Sequence, residues 1–222
     1  MSYYGFIFAR GGSKRIIDKN IVDFHGIPLI ARAIETCKKS KYIQDIIVST
    51  DSEKIAKIAK QYDAKIIKRP SELATDNAPQ IMAWKHAIEE MKMNDNDIFI
   101  NIPVVTPLKN EKDIDNCIEK YMNNKCDIIT TMYKNDHVAW SAKINSDNLL
   151  VPVYGNHWIS NRQEAETYYT LTGVCQVSNV KYIKKAKRPF EGKVLGSEIK
   201  FPNYIDIDTK EDLELCRKMK NN

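Results

Sequence analysis

Tyr3 to Phe8 form a short apolar and aromatic run that passes at once into a polar loop carrying glycine and arginine. A run of this kind predicts a buried strand. From Pro28 onward, Leu29, Ile30, Ala33, Ile34 and Cys37 recur at helical spacing, and Pro28 suits the first helical turn. Ile46-Ile47-Val48 predicts a second buried strand, closed by Ser49-Thr50-Asp51 as an N-cap cluster. The helix that follows places Ile55, Ile58, Ala59 and Tyr62 on one face. The alternation continues with a strand at Ala64–Ile67 and a helix marked by Ile81, Trp84, Ile88 and Met91. A strand at Asp97–Ile102, a helix marked by Ile114, Cys117, Ile118 and Tyr121, and a strand at Asp127–Met132 complete it.

Strand and helix in regular alternation predict an α/β fold: a mostly parallel sheet with helices on both faces. Ligands of such sheets sit at the carboxyl ends of the strands. The loops after the first, third and fourth strands are therefore the places to look for chemistry. Between Tyr133 and Leu171 the pattern breaks into a polar and aromatic stretch with Trp140, Tyr154, His157, Trp158, Tyr168 and Tyr169. This stretch reads as an arm that packs on a second subunit, or as a lid. Strands return at Gly173–Val177, Val194–Ile199 and Tyr204–Asp208, and a last helix carries Leu213, Cys216 and Met219. No internal repeat or low-complexity segment interrupts the order.

Composition narrows the class. In 222 residues, 43% are hydrophobic and 28% charged, which excludes disorder as the main state and suits one domain, or one with a small appendage. The net charge of +5 favours an anionic small molecule at least as much as nucleic acid. No apolar run approaches the roughly 18 residues that span a bilayer. The start of the chain lacks the basic and apolar regions of a signal peptide. Five cysteines (Cys37, Cys117, Cys126, Cys175 and Cys216) are widely spaced, without a C-x-x-C pair. They argue against a disulfide framework or a zinc site and fit a reducing cytoplasm.

Three segments carry candidate chemistry. Ala9-Arg10-Gly11-Gly12-Ser13-Lys14-Arg15, with Lys19-Asn20, directly follows the first strand. Its glycines permit close backbone approach with N–H groups turned inward, while Arg10 offers a planar fork to phosphate oxygens and Lys14 a point charge. The set fits a triphosphate; the bland alternative is a solvated basic turn. It is neither G-x-x-x-x-G-K-[ST] nor G-x-G-x-x-G, which disfavours a P-loop and a dinucleotide fold. In Ile205-Asp206-Ile207-Asp208-Thr209, a strand would put both carboxylates on one side as hard ligands for Mg²⁺. Thr209-x-x-Asp212 also reads as a capping box for the last helix. Lys68-Arg69-Pro70-Ser71-Glu72-Leu73-Ala74-Thr75-Asp76-Asn77-Ala78 is a candidate wall for base recognition, or else Arg69 and Asp76 form a surface ion pair. The basic run from Lys181 to Arg188 reads as a solvated helix face. The histidines show no ligand spacing, and neither G-x-S-x-G nor a cysteine nucleophile is evident.

These segments, in this order, resemble the CMP-sugar synthetases: acylneuraminate cytidylyltransferases and relatives acting on other nonulosonic or 3-deoxyoctulosonic acids. The matching residues are the Ala9–Arg15 loop with Lys19-Asn20, Val48-Ser49-Thr50-Asp51, Arg69-Pro70-Ser71-Glu72-Leu73-Ala74-Thr75-Asp76 and Asp206-Ile207-Asp208-Thr209. The resemblance implies a single cytidylyltransferase domain over 1–222, and a homodimer whose arm is the region 133–170. It implies CTP and an acidic sugar as substrates, Mg²⁺ as cofactor, pyrophosphate as product, and no nucleic-acid or membrane partner. It assigns Arg10, Gly11, Ser13, Lys14 and Lys19 to the triphosphate, with Arg10, Lys14 and Asp208 in catalysis. Asn20, Arg69, Ala78 and Gln80 fall to the cytosine and ribose, Asp206 and Asp208 to the metal, and Arg162 and Gln163 to the acceptor. One loop departs from the family. Where relatives carry Gln-Pro-Thr-Ser-Pro-Leu or Gln-Gly-Asp-Glu-Pro-Leu, this chain has Pro103-Val104-Val105-Thr106-Pro107-Leu108. Pro103 lacks the donor of the glutamine and Val105 the polar group. An acceptor such as a phosphonate, or a non-catalytic nucleotide-binding regulator, are the alternatives this leaves open.

Overall fold

A computed structural model describes residues 1–219 except Asn156, His157 and Ser160, and of Arg162 only the backbone. In chain order the elements are β1 (Tyr3–Phe8), β2 (Asp23–Phe24), β3 (Ile27–Pro28), α1 (Leu29–Lys39), β4 (Asp45–Thr50), α2 (Glu53–Gln61), β5 (Lys65–Lys68), α3 (Gln80–Glu90), β6 (Ile98–Asn101), α4 (Glu111–Met122) and β7 (Ile128–Lys134). Then come β8 (Ala142–Ile144), β9 (Leu150–Pro152), β10 (Tyr169–Asn179), α5 (Val180–Lys185), β11 (Val194–Glu198) and α6 (Lys210–Lys218).

Seven strands form one sheet in the order β11-β7-β10-β6-β1-β4-β5. All neighbours are parallel except at β10, which runs antiparallel to both β6 and β7. Alternate side chains feed two cores. Ile7, Val48, Ile100 and Ile129 pack under α1, α2, α4 and α6, while Phe6, Ile47, Phe99 and Ile128 pack under α3 and α5. Apolar residues on both faces of the central strands are what a doubly covered sheet requires. The helix after β1 and the helix before β6 thus lie on opposite faces, so a crevice opens between the carboxyl ends of β1 and β6.

Local chemistry moves some boundaries from their expected places. Pro28 lies just before α1, with extended backbone, and pairs with Asp23 in a two-residue hairpin instead of entering the first turn. Ser49 and Thr50 belong to β4. The cap of α2 is Ser52, whose Oγ accepts from the Ile55 N–H at 3.4 Å. β10 starts at Tyr169, four residues before the expected Gly173, and its register breaks between Leu171 and Gln176. There the Thr131 hydroxyl donates to the Thr172 and Cys175 carbonyls and accepts from the Cys175 N–H, each within 3.2 Å, and so satisfies the bulged backbone.

The segment Tyr204–Asp208 is not a strand: Ile205–Asp208 is irregular and joins no sheet. Its position is set by other means. Tyr204 stacks on Tyr133 with ring centroids 4.0 Å apart, the fully buried Ile207 enters the main core, and the Ile207 N–H donates to the Val105 carbonyl at 2.8 Å. The expected capping box is present, with the Thr209 hydroxyl and the Asp212 carboxylate closing the N-terminus of α6. Within the interrupted region, β8 and β9 form a hairpin that leaves Ile144, Leu149 and Leu150 exposed.

The basic run at 181–188 begins on α5 and faces solvent, with Lys184 paired to Asp95 at 2.6 Å. Of the five cysteines, none is disulfide-bonded and four are buried. Among the described residues no helix is long and apolar enough to cross a membrane.

Candidate functional site

A cleft of about 550 Å³ opens at the carboxyl ends of β1, β5 and β6. Arg10, Ser13, Lys14, Lys19 and Asn20 line it from the first loop, Arg69, Ala78 and Gln80 from the stretch between β5 and α3, and Val105 and Asp208 from the far side. Residues nearly two hundred positions apart therefore line one cleft. The Lys19 ammonium donates to the Asp208 carboxylate at 3.3 Å and to the Ile207 carbonyl at 2.8 Å. Arg15 stands 3.8 Å from the same carboxylate.

The first loop is held by its own polar groups. Asn20 is buried and donates to the Arg10 carbonyl at 2.9 Å. Gly11 does not turn its N–H into the cleft; the amide donates to Asp51 Oδ1 at 3.0 Å. Its lack of a side chain serves packing, since a Cβ there would meet the Ser52 Cβ at 3.0 Å. The loop is thereby pressed onto the start of α2, which leaves the long cationic side chains free to face the cleft. Lys14 is four-fifths exposed and meets Asp76 at 2.5 Å, and Arg10 contacts the same carboxylate. These hydrogen bonds, Lys14 first, hold the Asp76 carboxyl below its usual range. Asp76 is thus the partner of the first-loop cations Arg10 and Lys14 and not of Arg69.

Arg69 has a different place. It is 7% exposed, donates to the Ser49 carbonyl at 2.8 Å, and stands over the Phe8 ring at 5.9 Å. Its Nε has no partner, and burial lowers its pKa. A buried guanidinium with an unmet donor, beside an aromatic face and a cleft, is equipped to recognise a flat polar ring or a ribose hydroxyl.

Asp208 lines the cleft but Asp206 does not. The Asp206 Oδ1, the Val105 Cγ2 and the Pro103 Cβ converge around Gly173, where a Cβ would stand 3.3, 3.5 and 3.6 Å from them. The residue keeps an open face, yet the protein around its carboxyl raises the pKa, and the charge of Asp208 adds to this. A carboxyl whose pKa is raised in part by a neighbouring carboxylate is suited to share a divalent cation with it. Among the described residues no cluster of three or more such ligands exists.

Gln163 is exposed on a single turn at Arg162–Glu164 and does not line the cleft. The Arg162 side chain and His157 lie outside the described residues. Sequence reasoning passed over Lys109. It is 4% exposed, and its ammonium donates to the Pro103 carbonyl at 2.7 Å, the Thr106 carbonyl at 2.9 Å and the Thr106 hydroxyl at 3.2 Å. Burial pulls its pKa down to about 8. A lysine at the mouth of a polar helix gives no sign in one dimension that it turns inward.

A cleft at the switch point of a doubly covered sheet, cationic on one wall and carboxylate on the other, defines a nucleotide-binding enzyme of the nucleotidyltransferase class. The family model described as "Cytidylyltransferase" matches residues 4–222, and the chain belongs to that family. It is similar to the pseudaminic acid cytidylyltransferase of Campylobacter jejuni subsp. jejuni serotype O:23/36, with 31% identity over 216 residues that cover 94% of this chain and 92% of that one. It is 26% identical to an N-acylneuraminate cytidylyltransferase of Streptococcus agalactiae serotype V over 92% of this chain and 50% of the relative. The fold is that of CMP:2-keto-3-deoxy-manno-octonic acid synthetase, solved in complex with CTP, at a TM-score of 0.73, 16% identity and coverage of 98% and 97% of the two chains.

Proposed function

We propose that the chain transfers CMP from CTP to the hydroxyl of an acidic sugar of the nonulosonic or 2-keto-3-deoxy class, with release of pyrophosphate. The observation that carries this reading is the junction of the N-terminal cationic loop with Asp208 in one cleft, through Lys19. Relatives named for pseudaminic and N-acylneuraminic acid support the acceptor class.

In this reading Arg10, Ser13, Lys14 and Lys19 bind the triphosphate. Arg10 and Lys14 exchange Asp76 for phosphate oxygens and stabilise the charge that gathers on departing pyrophosphate. Arg69, with Asn20, Ala78 and Gln80, holds the cytosine and ribose. Asp206 and Asp208 hold Mg²⁺, which when bound neutralises phosphate charge and polarises the α-phosphate. Lys19, here paired with Asp208, would turn to phosphate where Asp208 holds the cation. The chain otherwise supplies position: a rigid cradle that sets the acceptor oxygen in line with the α-phosphorus.

The departure at Pro103 and Val105 favours an acceptor that presents an apolar or uncharged edge at that point, within the acidic-sugar class or as a phosphonate. The exposed apolar residues of the β8–β9 hairpin, with the exposed Tyr169 and Leu171 of β10, support a homodimer in which 133–170 is the arm that completes the acceptor side with Arg162 and Gln163. The unpaired cysteines support a reducing, cytoplasmic setting. The test is pyrophosphate release with Mg²⁺ and each of CTP, UTP and ATP, against a panel of 2-keto-3-deoxy acids and simple phosphonates. CTP-specific release with a keto acid is expected. Binding of CTP without release for any acceptor would replace the enzyme with a nucleotide-binding regulator.

A further inference from the structure

The loop after β6, Pro103–Leu108, reaches the cleft through Val105 but makes no regular structure of its own. Two of its carbonyls, Pro103 and Thr106, turn inward to the buried Lys109 ammonium, as does the Thr106 hydroxyl. An ammonium has three protons and here finds three acceptors on one loop. The Thr106 hydroxyl passes its own proton to the Gly173 carbonyl at 2.9 Å, which ties the loop to β10 under Asp206. Between those two inward carbonyls, the Val105 carbonyl accepts from the Ile207 N–H at 2.8 Å. The Ile207 carbonyl is held from the other side by Lys19 at 2.8 Å. Ile207 lies between the two aspartates, and no sheet fixes it.

We infer that Lys109 is a positioning residue for the acidic pair: by gathering the Pro103 and Thr106 carbonyls it aims the Val105 carbonyl at Ile207, and so fixes where Asp206 and Asp208 present their oxygens. The inference rests on the nucleotidyltransfer reading above. It gives the buried charge a task that a hydrophobic side chain of the same length could not perform. It also explains how an irregular segment supplies two carboxylates in a set relation. The chain of contacts runs Lys109, loop carbonyls, Val105, Ile207, Asp206 and Asp208, and each link is a single hydrogen bond or a covalent neighbour.

The experiment measures Mn²⁺ binding to the full chain with CTP and no acceptor, by electron paramagnetic resonance, alongside CTP binding in EDTA by calorimetry. Lys109→Met should weaken Mn²⁺ by about ten-fold while CTP affinity in EDTA changes by less than about two-fold, the scale expected when the support of a metal ligand is lost. A purely structural role would lower both bindings, or neither. If Lys109→Met does not fold, Thr106→Val and Thr106→Ser carry the same test. The valine, which lacks the relay hydroxyl, should weaken Mn²⁺, and the serine, which keeps it, should match the wild type. Wild-type Mn²⁺ affinity in a folded Lys109→Met, or in Thr106→Val, would overturn the positioning role alone. A wild-type chain that binds neither CTP nor Mn²⁺ would overturn the reading beneath it as well.

Discussion

Asp208→Asn separates folding from chemistry. The Asp208 side chain is 60% exposed, and its partners are Lys19 at 3.3 Å and Arg15 at 3.8 Å. Exposed ion pairs contribute at most about 1 kcal/mol each, and asparagine keeps both the shape and an oxygen for Lys19. Lys19 also retains the Ile207 carbonyl, and the Asp208 N–H still reaches Asp212 at 3.0 Å. The stability cost should therefore stay near 1 kcal/mol, which for a chain of this size moves Tm by about 2–4 °C. Turnover has a different scale. Loss of a preorganised group that acts on charge developing in the transition state removes roughly 3–4 kcal/mol, a rate loss of about 10²–10³. Removing the Asp208 charge also relieves one of the causes that raise the Asp206 pKa, after the larger one of burial, so the remaining carboxylate ionises more readily and cannot be blamed for the loss. The assay is pyrophosphate release from CTP with a productive acceptor at saturating Mg²⁺, beside a thermal melt in EDTA. Turnover within ten-fold of wild type, in a protein of unchanged Tm, would refute the assignment of Asp208.

Three further outcomes follow from the same geometry. The raised pKa of Asp206 contributes stability that is present below its unfolded value of 3.8 and lost as pH rises through the higher folded value, so Asp206→Asn should raise Tm at pH 7 without metal, and the gain should vanish below pH 4. Lys109, drawn from 10.5 to about 8, binds fewer protons folded than unfolded between those values; wild-type stability relative to Lys109→Met should therefore rise with pH across that window, by up to about 3 kcal/mol in urea unfolding. Arg69→Met should weaken CTP binding by about 10- to 100-fold, the worth of one charged hydrogen-bonding group, and an unchanged calorimetric Kd would remove Arg69 from the nucleoside pocket.

Much of the fold was readable because the central strands are apolar on both faces and the helices between them keep one apolar stripe. Failures came where pattern and context disagree. Ile205-Asp206-Ile207-Asp208 alternates as a strand does, but the cause is one buried isoleucine between two exposed aspartates, of which Asp208 lines the cleft, and the segment joins no sheet. The opening of β10 was missed because Tyr169 and Leu171 are exposed and carry no burial signal. In the cleft, the loop residues were legible by charge and position. Their partners were not, because the pairing of Asp76 with Arg10 and Lys14, rather than with the nearby Arg69, depends on how three loops meet. Lys109 was invisible for the same reason: only the folded loop supplies the carbonyls that make a buried charge tolerable.

Lys19 and Asp208 meet across 189 positions of sequence. A growing chain on the ribosome thus carries Lys19 long before the carboxylate that answers it has been synthesised, whereas Arg10 and Lys14 already have Asp76. Until α6 emerges and docks, Lys19 has neither the Asp208 carboxylate nor the Ile207 carbonyl to hold it.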